Sequence, residues 1–492
     1  MSNKKEESSS TSPYSITENV LEERQQHHQY GRISTQLYAG VLACLSALSF
    51  GTILGWSNPV THSMVVDEEE VGKKHLVWLV CLILIGCSLG VTSCTFLMKQ
   101  MGPKKALRAL GPFYILTWWL MLIPDIDVQL AGRFFLGFLG ISYSICGENL
   151  LMQTVHYGIR RYITVFHSST MVLGVLVSTV VGSATSKFHH TLVCASIPIL
   201  HYVLIQVIPE SPVFLYATSH VAAAKSLAWY RGAGNFYMDM ANIKKDWDAG
   251  RQDSDAYRYM LLSKVVYRAL LTVMGVTFFQ VCTGYFIFMF YNMRIWCHGK
   301  TVYTPVVDST ITGVCFVISK LFWGSLHSVF SWKVRGLLIT SCFASAIGLT
   351  LLALYQLLDA LEVDIIINVD WSPMIILALF LFFYDMGLNY YPKILIFEYM
   401  PFQMYKRAFS IVHASFWLLS FLNIYTFAST ILSVPIYVVF TVLAGITYAG
   451  TVFCYFFVVE PKGKSLIQIQ LEFGGNPIGK RGALFNQTRH TV

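Results

Sequence analysis

Two short polar segments each close a long apolar stretch of this chain. Residues 208–216 read IPESPVFLY and residues 459–466 read VEPKGKSL, and each begins where a hydrophobic run stops. Both place a Glu beside a Pro within their first three positions. The recurrence indicates a chain built from two related halves, each ending in the same kind of polar segment.

The composition is that of a chain embedded in a membrane. Of its 492 residues, 55% are hydrophobic and only 13% are charged, and the mean hydropathy is +0.55. Such a chain is too apolar for an ordinary soluble protein. The net charge of +8 does not indicate nucleic acid, because the Lys and Arg residues are scattered among short polar loops. We expect a protein that contacts the lipid bilayer and no nucleic acid.

Twelve apolar runs are each long enough to cross a membrane. A helix needs about 20 apolar residues to cross roughly 30 Å of hydrocarbon. We number the runs spans 1 to 12, and they lie near 36–57, 76–98, 106–123, 128–150, 163–184, 191–208, 268–291, 309–330, 337–358, 374–397, 409–432 and 435–458. The sequence therefore predicts an all-α, polytopic membrane protein with 12 transmembrane helices in two six-helix bundles.

The predicted organisation has five parts. We expect a disordered cytosolic tail over 1–35, an N-terminal bundle over 36–209, a cytosolic helical linker over 210–265, a C-terminal bundle over 266–459, and a cytosolic tail over 460–492. Within the linker, Ser219 is a predicted helix N-cap, and Gly232 and Gly234 mark the end of that helix.

Basic residues are concentrated in the loops on one side of the predicted membrane. The positive-inside rule makes these loops cytosolic, and an even number of spans then places both termini in the cytosol. The basic loop residues are Lys99, Lys104, Lys105, Arg108, Arg160, Arg161, Lys333, Arg335, Lys406 and Arg407.

Several segments resemble one known family. The stretch PESPVFLYATSHVAAAKSLAWYRG at 209–232, AGRFFLGFLG at 131–140 and VEPKGKSLIQIQLEF at 459–473 are similar to signatures of the sugar porter family of the major facilitator superfamily. GTILGWSNPV at 51–60 resembles the insect facilitated trehalose transporters within that family. The resemblance covers about residues 36–470.

The resemblance implies the major facilitator fold and a facilitative carrier of a hexose or trehalose-like sugar, working by alternating access in the plasma membrane. It implies no cofactor, and a monomer is sufficient for transport. The sequence contains no nucleophile motif, phosphate loop or metal-ligand spacing, so we expect neither a catalytic nor a metal site. Two alternatives stay open: a transport-poor sugar sensor, and a carrier of a non-sugar or anionic solute, with or without proton coupling.

A sugar site needs amide groups for hydroxyls and an aromatic face for the ring. The resemblance assigns substrate contacts to Gln280, Thr283, Tyr291, Ser168, Asn389 and Trp417. The family's amide residues are replaced here by Val281, Phe286, Ser168 and Phe416. Each unpaired buried hydroxyl costs roughly 1–3 kcal/mol, so the sequence does not predict ordinary glucose binding.

The family also implies charged groups that close the inner mouth through ion pairs. The corresponding residues are Arg160, Arg161, Glu210, Arg335, Glu398, Arg407 and Glu460. The alternative is that these charges only mark the water interface. Lys99 and Gln153 replace acids of the family pattern, so the predicted ion network is thinned.

Four ionisable residues lie inside predicted spans, where charge is costly. Glu148, Lys320, Asp385 and Lys393 are candidates for selectivity or coupling. The alternatives are structural pairing of a carboxylate with a Lys, or a Lys393 side chain that extends to the interface. Proton-linked sugar porters place an Asp in span 1 where this chain has Ile53, so facilitated diffusion is favoured over symport.

Overall fold

The structure is a computed structural model that describes residues 32–66, 73–232, 239–244, 263–297, 304–330, 332–363, 370–431 and 433–474. The described part of the chain contains long helices and no strand. The prediction of an all-α chain is confirmed.

The N-terminal half contains six helices that correspond to spans 1 to 6. They extend over Ile33–Val66, Lys73–Met101, Pro103–Leu120, Ile126–Thr154, Tyr157–Ala184 and Lys187–Leu204. Span 1 continues well beyond its predicted end at residue 57. Hydropathy locates the segment that crosses lipid, whereas the helix continues for as long as its backbone hydrogen bonds do.

Spans 7 to 12 form the C-terminal half, and two of them are broken. Span 7 comprises Lys264–Cys282 and Tyr285–Cys297, and span 10 comprises Ser372–Met386 and Tyr391–Tyr399. Spans 8, 9, 11 and 12 extend over Pro305–Val329, Val334–Ala360, Phe402–Thr430 and Ile436–Phe457. Among the described residues, ten segments are long and apolar enough to cross a membrane, four in the N-terminal half and six in the C-terminal half. The helices of spans 3 and 6 bring the N-terminal half to six as well.

The two breaks follow from local sequence. Span 7 is interrupted at Gly284, whose φ of 83° lies in the left-handed region that glycine adopts without a steric penalty. Span 10 stops at Met386 before Gly387 and resumes with Pro392 in the first turn of its second piece. Broken spans place irregular backbone inside the protein, where membrane carriers commonly bind their solutes.

Glycines let the helices of the N-terminal half pack backbone against backbone. A Cβ added at Gly51 would lie 1.9 Å from the carbonyl oxygen of Met171, and one added at Gly137 would lie 2.1 Å from that of Ile83. No side chain fits at either position unless the helices separate. Close contact of this kind is a main source of helix association in lipid.

The linker lies against the end of the N-terminal half that carries the segment 208–216, which we call the inner end. Its helices extend over Pro212–Tyr216 and His220–Arg231, and the Ser219 hydroxyl caps the second by accepting from the amide of Ala222 at 3.3 Å. The Arg231 guanidinium donates to the carbonyl of Thr154 at the end of span 4 at 3.3 Å. Gly232 ends the helix, while Gly234 lies outside the described residues.

We expect Gly137→Ala to destabilise the protein, because the new methyl group would meet the backbone of Ile83. Overpacking of this kind costs about 1–3 kcal/mol. The matched control is Gly445→Ala in span 12, where nothing lies within 4 Å of the new methyl.

Thermal unfolding in detergent, followed by size-exclusion chromatography, measures both variants. Gly137→Ala should lower the midpoint, and Gly445→Ala should leave it unchanged or slightly raised, since Ala is the better helix former. Equal shifts in the two variants would contradict the packing described above.

Candidate functional site

The break in span 7 brings two of the predicted sugar contacts beside span 10. The carbonyl of Gln280 accepts from the hydroxyl of Thr283 at 2.7 Å and from Tyr384 Oη at 3.1 Å. Gln280 is only 6% exposed. Its backbone oxygen, released from the helix by the break, therefore links the two broken spans.

Trp417 lies in an aromatic cluster that joins the two halves. Its ring centroid is 5.6 Å from that of Phe50 on span 1, 5.8 Å from Phe286 and 5.3 Å from Phe416. We call these four residues the aromatic cluster. Phe286 and Phe416 are two of the positions where the family supplies amides, so rings occupy the space beside the predicted stacking residue.

The remaining predicted sugar contacts have partners other than Gln280. Tyr291 is at a kink in span 7, with φ −123° and ψ 18°, and its ring packs 5.4 Å from Phe427. The Ser168 hydroxyl donates to the carbonyl of Val165 on its own helix at 2.9 Å. Asn389 Nδ2 donates to Asp385 Oδ1. The predicted set therefore divides among separate local contacts.

The ionisable candidates in the C-terminal half lie on spans 8 and 10. Lys320 Nζ lies 3.9 Å from Asp385 Oδ1, and the Lys320 and Asp385 side chains are 16% and 1% exposed. Lys393 is exposed and acts electrostatically on Lys320. Glu148, on span 4 of the other half, acts electrostatically on His167, as Lys393 also does. Asp385 thus has a Lys partner, as structural pairing requires.

Sequence analysis missed Arg133, although AGRFFLGFLG contains it. Its buried guanidinium donates to the carbonyls of Leu79 at 2.9 Å and Ile53 at 3.1 Å, and also to the hydroxyl of Ser57. The side chain lies over the Trp56 ring at 5.0 Å. Ile53, which replaces the acid of proton-linked relatives, thus offers Arg133 a backbone carbonyl in place of a carboxylate.

The Glu of the first polar segment caps a helix. Glu210 Oε1 accepts from the amide of Lys104 at 2.9 Å, and Oε2 accepts from the amide of Lys105 at 2.8 Å. These amides belong to the first turn of span 3, where the helix leaves N–H groups without internal partners and carries a partial positive charge. The segment 208–216 therefore holds the inner end of span 3.

The Glu of the second polar segment makes the same contact in the other half. Glu460 Oε1 accepts from the amide of Val334 at 3.0 Å, and Oε2 accepts from that of Arg335 at 2.9 Å. Span 9 begins at Val334 and follows spans 7 and 8 as span 3 follows spans 1 and 2. The two polar segments therefore recur because each ties down the start of the third helix of its half.

The predicted gate arginines contact nearby backbone and rings. Arg160 donates to the carbonyl of Val155 at 3.0 Å, Arg161 lies 5.0 Å from the Tyr162 ring, and Arg335 donates to the carbonyl of Tyr455. Glu398 and Arg407 lie at the inner ends of spans 10 and 11.

The opposite, outer ends of the halves are joined by Asn58, a residue that sequence analysis did not single out. Its Nδ2 donates to Ser309 Oγ on span 8 at 3.0 Å, and its Oδ1 accepts from the amide of Met293 on span 7 at 3.1 Å. The sequence feature that could have identified Asn58 is a polar residue next to a Pro within an apolar helix. These two bonds join span 1 of the N-terminal half to spans 7 and 8 of the C-terminal half.

Comparisons with known proteins agree with this architecture. The sequence model of the family described as "Sugar (and other) transporter" matches residues 14–473. The chain belongs to this family. Membership in the sugar transporter family confirms the prediction of a sugar carrier and makes the protein a transporter rather than an enzyme.

Individual relatives cover most of the chain. The facilitated trehalose transporter Tret1 of Bombyx mori is 25% identical over 444 residues, which are 89% of this chain and 86% of the relative. Tret1 of Polypedilum vanderplanki is 25% identical over 452 residues, covering 90% and 89%.

Solved structures confirm the fold. The inward open conformation of the xylose transporter XylE from E. coli superposes with a TM-score of 0.73 at 17% identity, covering 89% of this chain and 99% of that chain. Its partially occluded inward open conformation gives 0.70 at 16% identity, covering 86% and 100%. The major facilitator fold is thereby shown for this member of the sugar transporter family.

We predict that Glu210→Ala and Glu460→Ala each lower the stability of one half by about 1–3 kcal/mol, because two amides at a helix start lose a charged acceptor. Glu472→Ala is the matched control: its side chain is 44% exposed, and its carboxylate pairs with Lys464 at 2.6 Å. Thermal unfolding in detergent compares the three variants. A control shift as large as the other two would reject the capping role.

We expect Asn58→Ala to open the outer side, because the bonds of Asn58 to Ser309 and Met293 are lost. The measurement is the rate at which maleimide modifies a Cys placed at Met293, which is 1% exposed, in a cysteine-depleted background. The rate should rise about fivefold, as expected for the loss of roughly 1 kcal/mol. Thr61→Ala is the control, since its hydroxyl bonds only to carbonyls of its own helix. An unchanged modification rate in Asn58→Ala would show that Asn58 does not hold the outer side closed.

Proposed function

We propose that this protein is a facilitative sugar carrier of the plasma membrane, with both termini in the cytosol and a solute site where spans 7 and 10 are broken. The observation that carries the proposal is the pairing of a family match over residues 14–473 with breaks that bring Gln280 and Tyr384 together. Broken helices at the interface between two repeats are the usual solute sites of such carriers.

The mechanism has two rocking bodies, which we assign to 36–209 and 266–459. When the outer contact at Asn58 parts, the site is open to the outside. When it forms, the inner ends are free to separate. Glu210 and Glu460 keep span 3 and span 9 attached to their own halves during this motion. The inner ends are the cytosolic ones in this proposal, and Arg160, Arg161, Arg335, Glu398 and Arg407 line that entrance.

Uniport is favoured because span 1 offers no carboxylate to Arg133. The guanidinium is bonded to two backbone carbonyls and to a hydroxyl. None of these acceptors takes up and releases a proton near neutral pH. The Tret1 relatives are named as facilitated transporters of trehalose, so trehalose and glucose are the first solutes to test.

A transport-poor sensor is the second candidate, and the aromatic cluster favours it. Phe286 and Phe416 replace hydroxyl-binding amides and pack against Trp417. A site with few amides binds polyols weakly, and such a protein could respond to sugar without moving it efficiently.

Proteoliposomes distinguish the two candidates. A carrier equilibrates radiolabelled trehalose or glucose with the internal volume without a proton gradient or membrane potential. A sensor binds labelled sugar with no flux above that of protein-free vesicles. The absence of flux for both sugars would reject the carrier proposal.

We predict that Phe286→Asn improves neutral-sugar uptake, because it restores an amide beside Trp417. The half-saturation concentration should fall about fivefold, the effect of one added hydrogen bond of roughly 1 kcal/mol. Phe286→Leu is the matched control, since it removes the ring without adding an amide. Equal effects of Asn and Leu would show that only ring removal matters.

A further inference from the structure

The break in span 10 takes a helical hydrogen bond from Met386, and His327 on span 8 replaces it. In an unbroken helix the amide of Tyr390 would donate to the Met386 carbonyl, four residues earlier. Here that amide donates to the carbonyl of Gly387 at 3.1 Å. His327 Nε2 lies 2.9 Å from the Met386 carbonyl oxygen. A carbonyl oxygen only accepts, so Nε2 carries the proton and donates, as the interior of a membrane protein requires.

The same imidazole contacts the second piece of span 10. Its Nδ1 lies 3.3 Å from Tyr391 Oη, and in a neutral ring protonated on Nε2 this nitrogen accepts from the hydroxyl. The imidazole also stacks on the Tyr390 ring, with centroids 4.5 Å apart and planes 13° apart. One side chain therefore contacts the last residue of the first piece, Met386, and the start of the second piece.

A side chain of span 9 holds the opposite side of the break. Ser341 Oγ accepts from the amide of Leu388 at 3.1 Å. The segment 387–389 thus lies between a His on span 8 and a Ser on span 9. Asn389, one of the predicted sugar contacts, is the last residue of this segment. Its position therefore depends on the contacts that His327 makes immediately before and after the segment.

We propose that His327 is a positioning residue of the solute site: it holds the two pieces of span 10 together and so fixes where Asn389 meets the sugar. This inference rests on the proposed function, which places the solute site at the two breaks. His327 does not touch the solute and acts through Met386 and Tyr391. Without its bonds, the segment 387–389 samples several positions, and the apparent affinity falls with the fraction that can bind.

Two amide substitutions of different reach isolate the role of the Nε2 donor. His327→Gln places an amide N–H near the position of Nε2, so it still donates to the Met386 carbonyl. The side chain of His327→Asn is one methylene shorter and ends near the position of Nδ1, so this bond is lost. Ser328→Ala is the matched control, because the buried Ser328 hydroxyl donates to the carbonyl of Gly324 on its own helix at 2.9 Å.

The first measurement is the uptake of radiolabelled trehalose and glucose by proteoliposomes at increasing sugar concentration. His327→Asn should raise the half-saturation concentration about fivefold, the effect of one lost hydrogen bond. Its maximal rate per folded protein should change little, because saturating sugar selects the binding position. His327→Gln and Ser328→Ala should keep the wild-type half-saturation concentration. Equal values in the Asn and Gln variants would overturn the positioning role.

The second measurement requires no transport. Hydrogen–deuterium exchange in lipid nanodiscs, read by mass spectrometry, reports the opening of the amides of residues 388–391 in the sugar-free protein. Exchange should be about fivefold faster in His327→Asn than in the wild-type protein, and His327→Gln should match the wild type. Equal exchange in the two variants would show that Nε2 does not hold the break and would overturn the proposal.

A second variant covers the case in which His327→Asn does not fold. Tyr391→Phe removes only the hydroxyl that bonds to Nδ1, and it should raise both the exchange rate and the half-saturation concentration about twofold. If both quantities stay at their wild-type values in Tyr391→Phe, the proposal is rejected.

The two measurements separate this inference from the function on which it rests. Faster exchange in His327→Asn, together with no flux of either sugar in the wild-type protein, supports the contacts of His327 with the break and rejects the carrier. Sugar flux with equal exchange and equal half-saturation concentrations in the Asn and Gln variants rejects the role of His327 and leaves the carrier intact.

Discussion

The structure depends on one constraint: backbone polar groups within the bilayer must find partners inside the protein. The breaks in spans 7 and 10 leave backbone groups without their helical hydrogen bonds. At the break in span 10, a side chain of span 9 bonds two of these groups. Ser341 Oγ accepts from the amide of Leu388 at 3.1 Å and donates to the carbonyl of Phe383 at 2.7 Å. Gly387 allows this approach, because a Cβ there would lie 2.6 Å from the Leu337 carbonyl.

The two halves share one contact and differ in how they pack. Both tie the start of their third helix to a Glu in a polar segment, at Glu210 and at Glu460. The N-terminal half packs closely through Gly51 and Gly137, whereas the C-terminal half carries the breaks and the Lys320–Asp385 pair. A tightly packed half beside a half with irregular, polar backbone suits a carrier that binds its solute mainly on one wall.

The fold was readable from the sequence because hydropathy and the recurring polar segments are local signals, as the major facilitator fold of the XylE structures confirms. The contacts of Glu210 were not readable, since its partners are backbone amides that have no sequence signature. The contacts of Arg133 could not be predicted for the same reason, because two of its acceptors are backbone carbonyls. Trp417 was predicted to stack on sugar, but only the structure shows Phe286 and Phe416 against it.

The central claim is that the two halves expose one shared site to the outer and inner sides in turn. Double electron–electron resonance (DEER) in lipid nanodiscs tests it directly, because it measures the distance between two spin labels. One label pair is placed at the outer ends, on Thr185 and Val307, and another at the inner ends, on Gln100 and Phe330. The account predicts that a transported sugar shifts the two distance distributions in opposite directions. Distances that stay fixed at both ends, or that change together, would contradict it.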